Sequence, residues 1–91
     1  MAEDRETRVR RLSMRSMRRG IREMDLILSA YAARALDQMS PAELELYDGL
    51  LSENDHDLYR WVSGAETPPG RYGALVDDIA RGSQGLVAPR T

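Results

Sequence analysis

The sequence predicts an all-α fold, a small five-helix bundle with short loops. Three observations carry that prediction. Apolar residues recur at steps of three and four, as in Leu44, Tyr47 and Leu51 or Tyr72, Leu75, Val76 and Ile79, the spacing that gathers side chains on one helix face. Start and stop signals separate these stretches: Ser40-Pro41, Asn54-Asp55, Gly64, Pro68-Pro69-Gly70 and Gly82. No segment shows the two-residue alternation of a half-buried strand. The length of 91 residues suits one domain, expected over residues 1–82 with a flexible C-terminal tail over 83–91.

The first helix is expected from Arg5 to Arg19, a stretch without proline or glycine, with Val9, Leu12, Met14 and Met17 on its apolar face. Gly20 interrupts it. A glycine inside a helix costs about 1 kcal/mol against alanine, so it marks a C-terminal cap or a place where another backbone comes close. Two helices are expected to meet at or just before Gly20, although the stripe Met14, Met17, Ile21, Met24, Leu28, Tyr31, Ala35 runs through it. The second helix covers 21–37, with Glu23 and Asp25 near its start, where the helix dipole favours negative charge. Ser40-Pro41-Ala42-Glu43 is a capping-box start for a third helix reaching about Ser52. Asn54-Asp55-His56-Asp57 caps a fourth, with Leu58, Trp61 and Val62 on its buried face and Gly64 as its stop. A final helix spans Tyr72 to Arg81, ended by Gly82.

Composition narrows the functional classes. A chain this short buries only about 60–65% of the surface its unfolded state exposes, which favours a docking surface over an enclosed catalytic cavity. With no cysteine, disulfides and thiolate metal sites are excluded. No apolar run approaches the roughly 18 residues a membrane span needs, so the chain is not expected to be membrane-embedded. All 13 basic residues are arginine. Residues 1–22 carry eight arginines against three acids, and residues 23–91 five against twelve, giving +5 and −7 around the overall −2. A basic head on an acidic body points to an acidic partner or nucleic acid, or to a head and body that neutralise one another within the fold.

Catalytic constellations are missing. The single histidine, His56, lies between Asp55 and Asp57, where a helix cap accounts for its neighbours. Glu23 and Asp25 are two apart, so on a helix their directions differ by about 200° and they are poorly placed as a paired acid and base. There is no nucleophile-elbow serine and no glycine-rich phosphate loop. The chain is expected not to be an enzyme. An arginine-rich nucleic-acid-binding or regulatory protein is the alternative, but the head lacks aromatic residues, Asn and Gln, and the pI of about 5.3 is acidic.

Arg19-Gly20-Ile21-Arg22-Glu23-Met24-Asp25 resembles the RGxxExD motif of the succinate dehydrogenase assembly factor 2 family. A second stretch, Leu50 to Trp61, is similar to the family's LL…D-x-DL-aromatic-x-W segment, and the two occur in the family's order. The resemblance covers roughly residues 8–80. It implies a five-helix bundle without catalytic residues or a cofactor of its own. Such a protein binds the immature flavoprotein subunit of succinate dehydrogenase and assists covalent attachment of FAD to a histidine of that subunit. Fumarate reductase is a related client. The family's partner-binding residues carry over to Arg19, Gly20, Glu23 and Asp25, with Arg18 and Arg22 beside them. Where some relatives have an aromatic residue before the arginine pair, this chain has Met17. In this resemblance Gly20 admits a partner backbone, Arg19 makes a forked contact to a partner carboxylate, and Glu23 and Asp25 accept hydrogen bonds from the partner. No presequence is recognisable, since Glu3, Asp4 and Glu6 interrupt the basic N-terminus; this predicts a cytoplasmic protein of the bacterial branch.

Overall fold

A computed structural model describes residues 3–83. Helix α1 spans Arg5–Arg15, α2 Arg22–Ala35, α3 Pro41–Leu51, α4 Asp55–Val62 and α5 Gly73–Gly82. Short 3₁₀ turns, Leu36–Gln38 and Gly70–Tyr72, follow α2 and precede α5. No strand occurs among the described residues, and the fold is the expected small all-α bundle. The tail expected over 83–91 lies, beyond Ser83, outside the described residues.

Side-chain caps set most of the helix starts. The Asp4 carboxylate accepts from the Thr7 N–H at 2.7 Å. The Ser40 hydroxyl accepts from the Glu43 N–H while the Glu43 carboxylate accepts from the Ser40 N–H, closing the predicted capping box. The Asn54 side chain accepts from the His56 N–H, so the fourth helix is capped by Asn54 and Asp55 is left to act elsewhere. Gly64, at φ +86°, supplies the left-handed residue that follows α4.

α2 is the central element and packs against α1, α4 and α5, while α1 also lies on α3 and α4 on α5. It buries Met24, Ile27, Leu28, Tyr31 and Ala32. Around these close Leu12, Leu44, Tyr47, Leu50, Leu51, Leu58, Trp61, Val62, Val76 and Ile79. Tyr47 is fully buried, on the apolar face it was expected to share with Leu44 and Leu51. Its hydroxyl lies 2.6 Å from that of Ser16, which donates to the Leu12 carbonyl.

The first helix departs from expectation. It ends at Arg15, not Arg19, and Leu12 is its single fully buried apolar residue. Met14 and Met17 are 66% and 48% exposed. Met14 is two positions beyond Leu12 and points about 200° away from it. Past Arg15 the chain leaves the helix, so a stripe counted through Met17 to Ile21 loses its phase.

Burial pushes the Tyr47 phenol up to about 12, and the Tyr31 phenol, which donates to Asp78 at 2.9 Å, is also raised by burial. Both groups keep their proton in the fold at pH values where the unfolded chain has released it. Their contribution is therefore complete below about pH 10 and declines as pH rises from 10 towards 12. The urea midpoint should fall across that interval, and Tyr47→Phe should fall less steeply. An equal slope in the variant would show that Tyr47 does not carry its share.

Candidate docking site

The turn between α1 and α2, residues 16–21, holds the first half of the RGxxExD segment. It opens with the Ser16 and Met17 N–H groups bonding back to Leu12 and Met14. The chain then reverses at Arg18, which takes φ +56°, an uncommon conformation for a residue with a side chain. The left-handed residue was expected, if anywhere, at Gly20; the structure places it two positions earlier. The Arg18 N–H donates to the Asp25 carboxylate at 3.0 Å, and the Ser29 hydroxyl donates to the same oxygen at 3.2 Å. Asp25, in the first turn of α2, thus holds the turn from below.

Arg19 reaches inward and joins three helix ends. Its Nε donates to Asp55 Oδ1 at 2.8 Å. Its terminal nitrogens donate to the carbonyls of Arg15 and Leu51, each at 2.9 Å, the last residues of α1 and α3. A cation at two helix C-termini and a carboxylate at the α4 N-terminus both sit where the helix dipoles favour them. The pair is largely withdrawn from water, with side chains 11% and 18% exposed.

Asp55 also explains Gly20. Its second oxygen accepts from the Gly20 N–H at 2.7 Å. A Cβ at position 20 would stand 3.0 Å from that oxygen. The close approach anticipated at Gly20 is therefore made within the chain, by a carboxylate from α4. One side chain clasps together the two segments that carried the family resemblance.

The six predicted site residues divide. Arg19, Gly20 and Asp25 knit the turn to the bundle, whereas the side chains of Arg18, Arg22 and Glu23 are exposed and form no ion pair among the described residues. His56 is exposed on α4. The basic head is mostly neutralised inside the fold. Arg11 and Arg15 share the Asp48 carboxylate, Arg11 also pairs with Glu3 at 2.8 Å, and Arg5 donates to the carbonyls of Asp37 and Met39. The hydrogen bond from Arg11 lowers the Asp48 carboxyl below its ordinary value. Asp48 and Asp55 are the residues that sequence reasoning missed. A signal existed for both: each is an acid placed beside a buried apolar face, in a body whose charge is opposite to that of the head.

The fold and this turn define a small helical protein whose candidate site is an outward surface. Residues 10–82 match the Sdh5 family, described as flavinator of succinate dehydrogenase, and the chain belongs to that family. It is 48% identical over 61 residues to a protein named succinate dehydrogenase assembly factor 2, mitochondrial, from Meyerozyma guilliermondii, covering 67% of this chain and 45% of that one. It is 34% identical over 87 residues to the protein of that name from Mycosarcoma maydis, covering 96% and 37%. For the Kluyveromyces lactis protein the identity is 51% over 53 residues, covering 58% and 32%. The chain thus spans less than half the length of these relatives. All three are named mitochondrial, which overturns the expectation of a cytoplasmic protein, and the bacterial branch finds no support in them.

Proposed function

We propose that this chain is an assembly factor that binds the flavoprotein subunit of succinate dehydrogenase and promotes covalent attachment of FAD. The observation that carries the reading is the turn itself. Within a segment matched by the family, Arg18 in the turn and Arg22 and Glu23 at the start of α2 stand exposed, on backbone held from behind by Asp25 and Asp55. Charged groups presented on a preorganised backbone favour specific docking, because less freedom is lost on binding. In this reading residues 1–82 act as one helical domain, and Arg19, Gly20 and Asp25 shape the surface that Arg18, Arg22 and Glu23 present.

FAD is the partner's cofactor here. Among the described residues, hollows lie between α2, α3 and α5, on the outer face of α1 and between α1 and α3. None of these three is lined by residues 18–25, which fits a motif that acts as a docking face. The factor's contribution is orientation, holding the client so that its histidine meets the flavin, without catalytic groups of its own. The flavoprotein of fumarate reductase is a second client in the same reading. Nucleic acid is not a partner in it, since the arginines of the head are largely engaged by the chain's own carboxylates and carbonyls.

Co-expression with the flavoprotein subunit, followed by flavin fluorescence of the denatured subunit in a gel, tests the proposal. Glu23→Ala should reduce the covalent signal to about a third or less while leaving helicity at the wild-type level. Gly20→Arg should reduce it further, because its Cβ must push back the Asp55 carboxylate and its long cationic side chain alters the face of the turn. Normal flavinylation with both variants would overturn the site, and no gain in flavinylation from the wild-type factor would overturn the function.

A further inference from the structure

The outer face of α1 bears an apolar feature that the bundle does not use. Thr7, Arg10, Arg11, Met14 and Arg15 line a shallow hollow of about 430 Å3. Met14, at 66% exposure, is the most exposed large hydrophobic residue of the described chain, and Met17, at 48%, follows it beside the turn. The heads of Arg11 and Arg15 are turned away to Asp48. Their methylene stems are therefore fixed as walls, as occurs when long cationic side chains lie along apolar surface. Ion pairs to Asp48, which does not itself line the hollow, thus fix two of its walls. Met14 can reshape itself to fill an irregular contact.

Arg11 and Arg15 of this hollow are paired, but the positive charge of Arg10 and of the segment that follows α1 is only weakly matched or unmatched. Arg18 and Arg22 have no carboxylate partner among the described residues, and Arg10 meets only Glu6, at 3.8 Å between two well-exposed side chains. Methionine and arginine together are enriched at protein interfaces, whereas isolated exposed apolar residues mean little. We infer that Met14 and Met17 extend the docking surface of the RGxxExD turn along α1, and that they receive an apolar side chain of the flavoprotein subunit flanked by carboxylates that pair with Arg10, Arg18 and Arg22. This inference rests on the functional reading above and names the partner chemistry of that same surface.

Binding of the purified chain to the non-flavinylated flavoprotein subunit, measured by titration calorimetry, tests it. Met14→Ala with Met17→Ala should weaken binding about tenfold with an unchanged melting temperature, and Met14→Leu with Met17→Leu should restore it. Ala74→Glu, in the hollow between α2, α3 and α5, should leave the affinity within about twofold. Wild-type affinity should fall as salt is raised, because exposed pairs are screened. Equal binding by wild type and the double alanine variant would overturn the inference and leave the functional reading standing. Equal losses in the double alanine variant and in Ala74→Glu would also overturn it. Absence of binding by the wild-type chain would overturn the functional reading, and the inference with it.

Discussion

Asp55→Ala should leave the bundle folded but release the turn from Arg18 to Gly20. The substitution removes the carboxylate that accepts from both Arg19 Nε and the Gly20 N–H. Hydrogen bonds to a charged group contribute about 1.5–3 kcal/mol each. Arg19 keeps its bonds to the carbonyls of Arg15 and Leu51, and water can reach a site that is not wholly enclosed. The net loss should therefore be about 2–4 kcal/mol. Amide exchange at residues 18–20 should accelerate far more than exchange in α2, and flavinylation should fall with it. Asp55→Asn retains one acceptor oxygen but turns an NH2 towards the other donor, and should be intermediate. Unchanged exchange at Gly20 in the alanine variant would mean that Asp55 does not hold the turn.

Leu58→Ala should act on the whole domain. Leu58 is fully buried, and replacing such a leucine costs about 2–5 kcal/mol through lost burial and the remaining cavity. A chain of this length has about 5–14 kcal/mol in total, so one substitution removes a large share. The position matters as much as the size. α4 has eight residues and is anchored by Leu58, Trp61 and Val62, and a helix so short has no stability apart from its packing. Loosening it withdraws Asp55 from the turn as well. Urea unfolding should show a lowered midpoint, and exchange should accelerate throughout the molecule. A midpoint shift confined to the turn region, or none at all, would contradict this.

The contrast between these variants shows what local reading can reach. Ser40-Pro41-Ala42-Glu43, Asn54 and Gly64 act within a few residues of themselves, and their roles as caps are visible in the chain. The end of α1 is not, because Arg15 to Arg19 contains no poor helix former. The helix stops there because Arg19 is drawn to the carbonyls of Arg15 and Leu51 and to Asp55, a preference that exists only once α3 and α4 are in place. The same long range hid the division of the RGxxExD residues. The motif placed Arg19 and Asp25 among partner contacts, but their bonding in the chain depends on where the turn folds back. Met14 and Met17 were assigned to the core because a spacing of three and four was carried through a break.

The clasp between Gly20 and Asp55 joins positions 35 residues apart in the chain, which gives the proposed docking surface a place in time. Residues 18–20 emerge during synthesis well before α4, and without Asp55 they lack the acceptor that fixes their backbone. Contacts between distant segments form late, after the entropy of closing the intervening loop has been overcome. The surface is thus completed only when the last helices have docked, so that a nascent or partly unfolded copy would show clients the charges but not their arrangement. On the proposed function, competence to engage a client then becomes a report that the chain's own folding has finished.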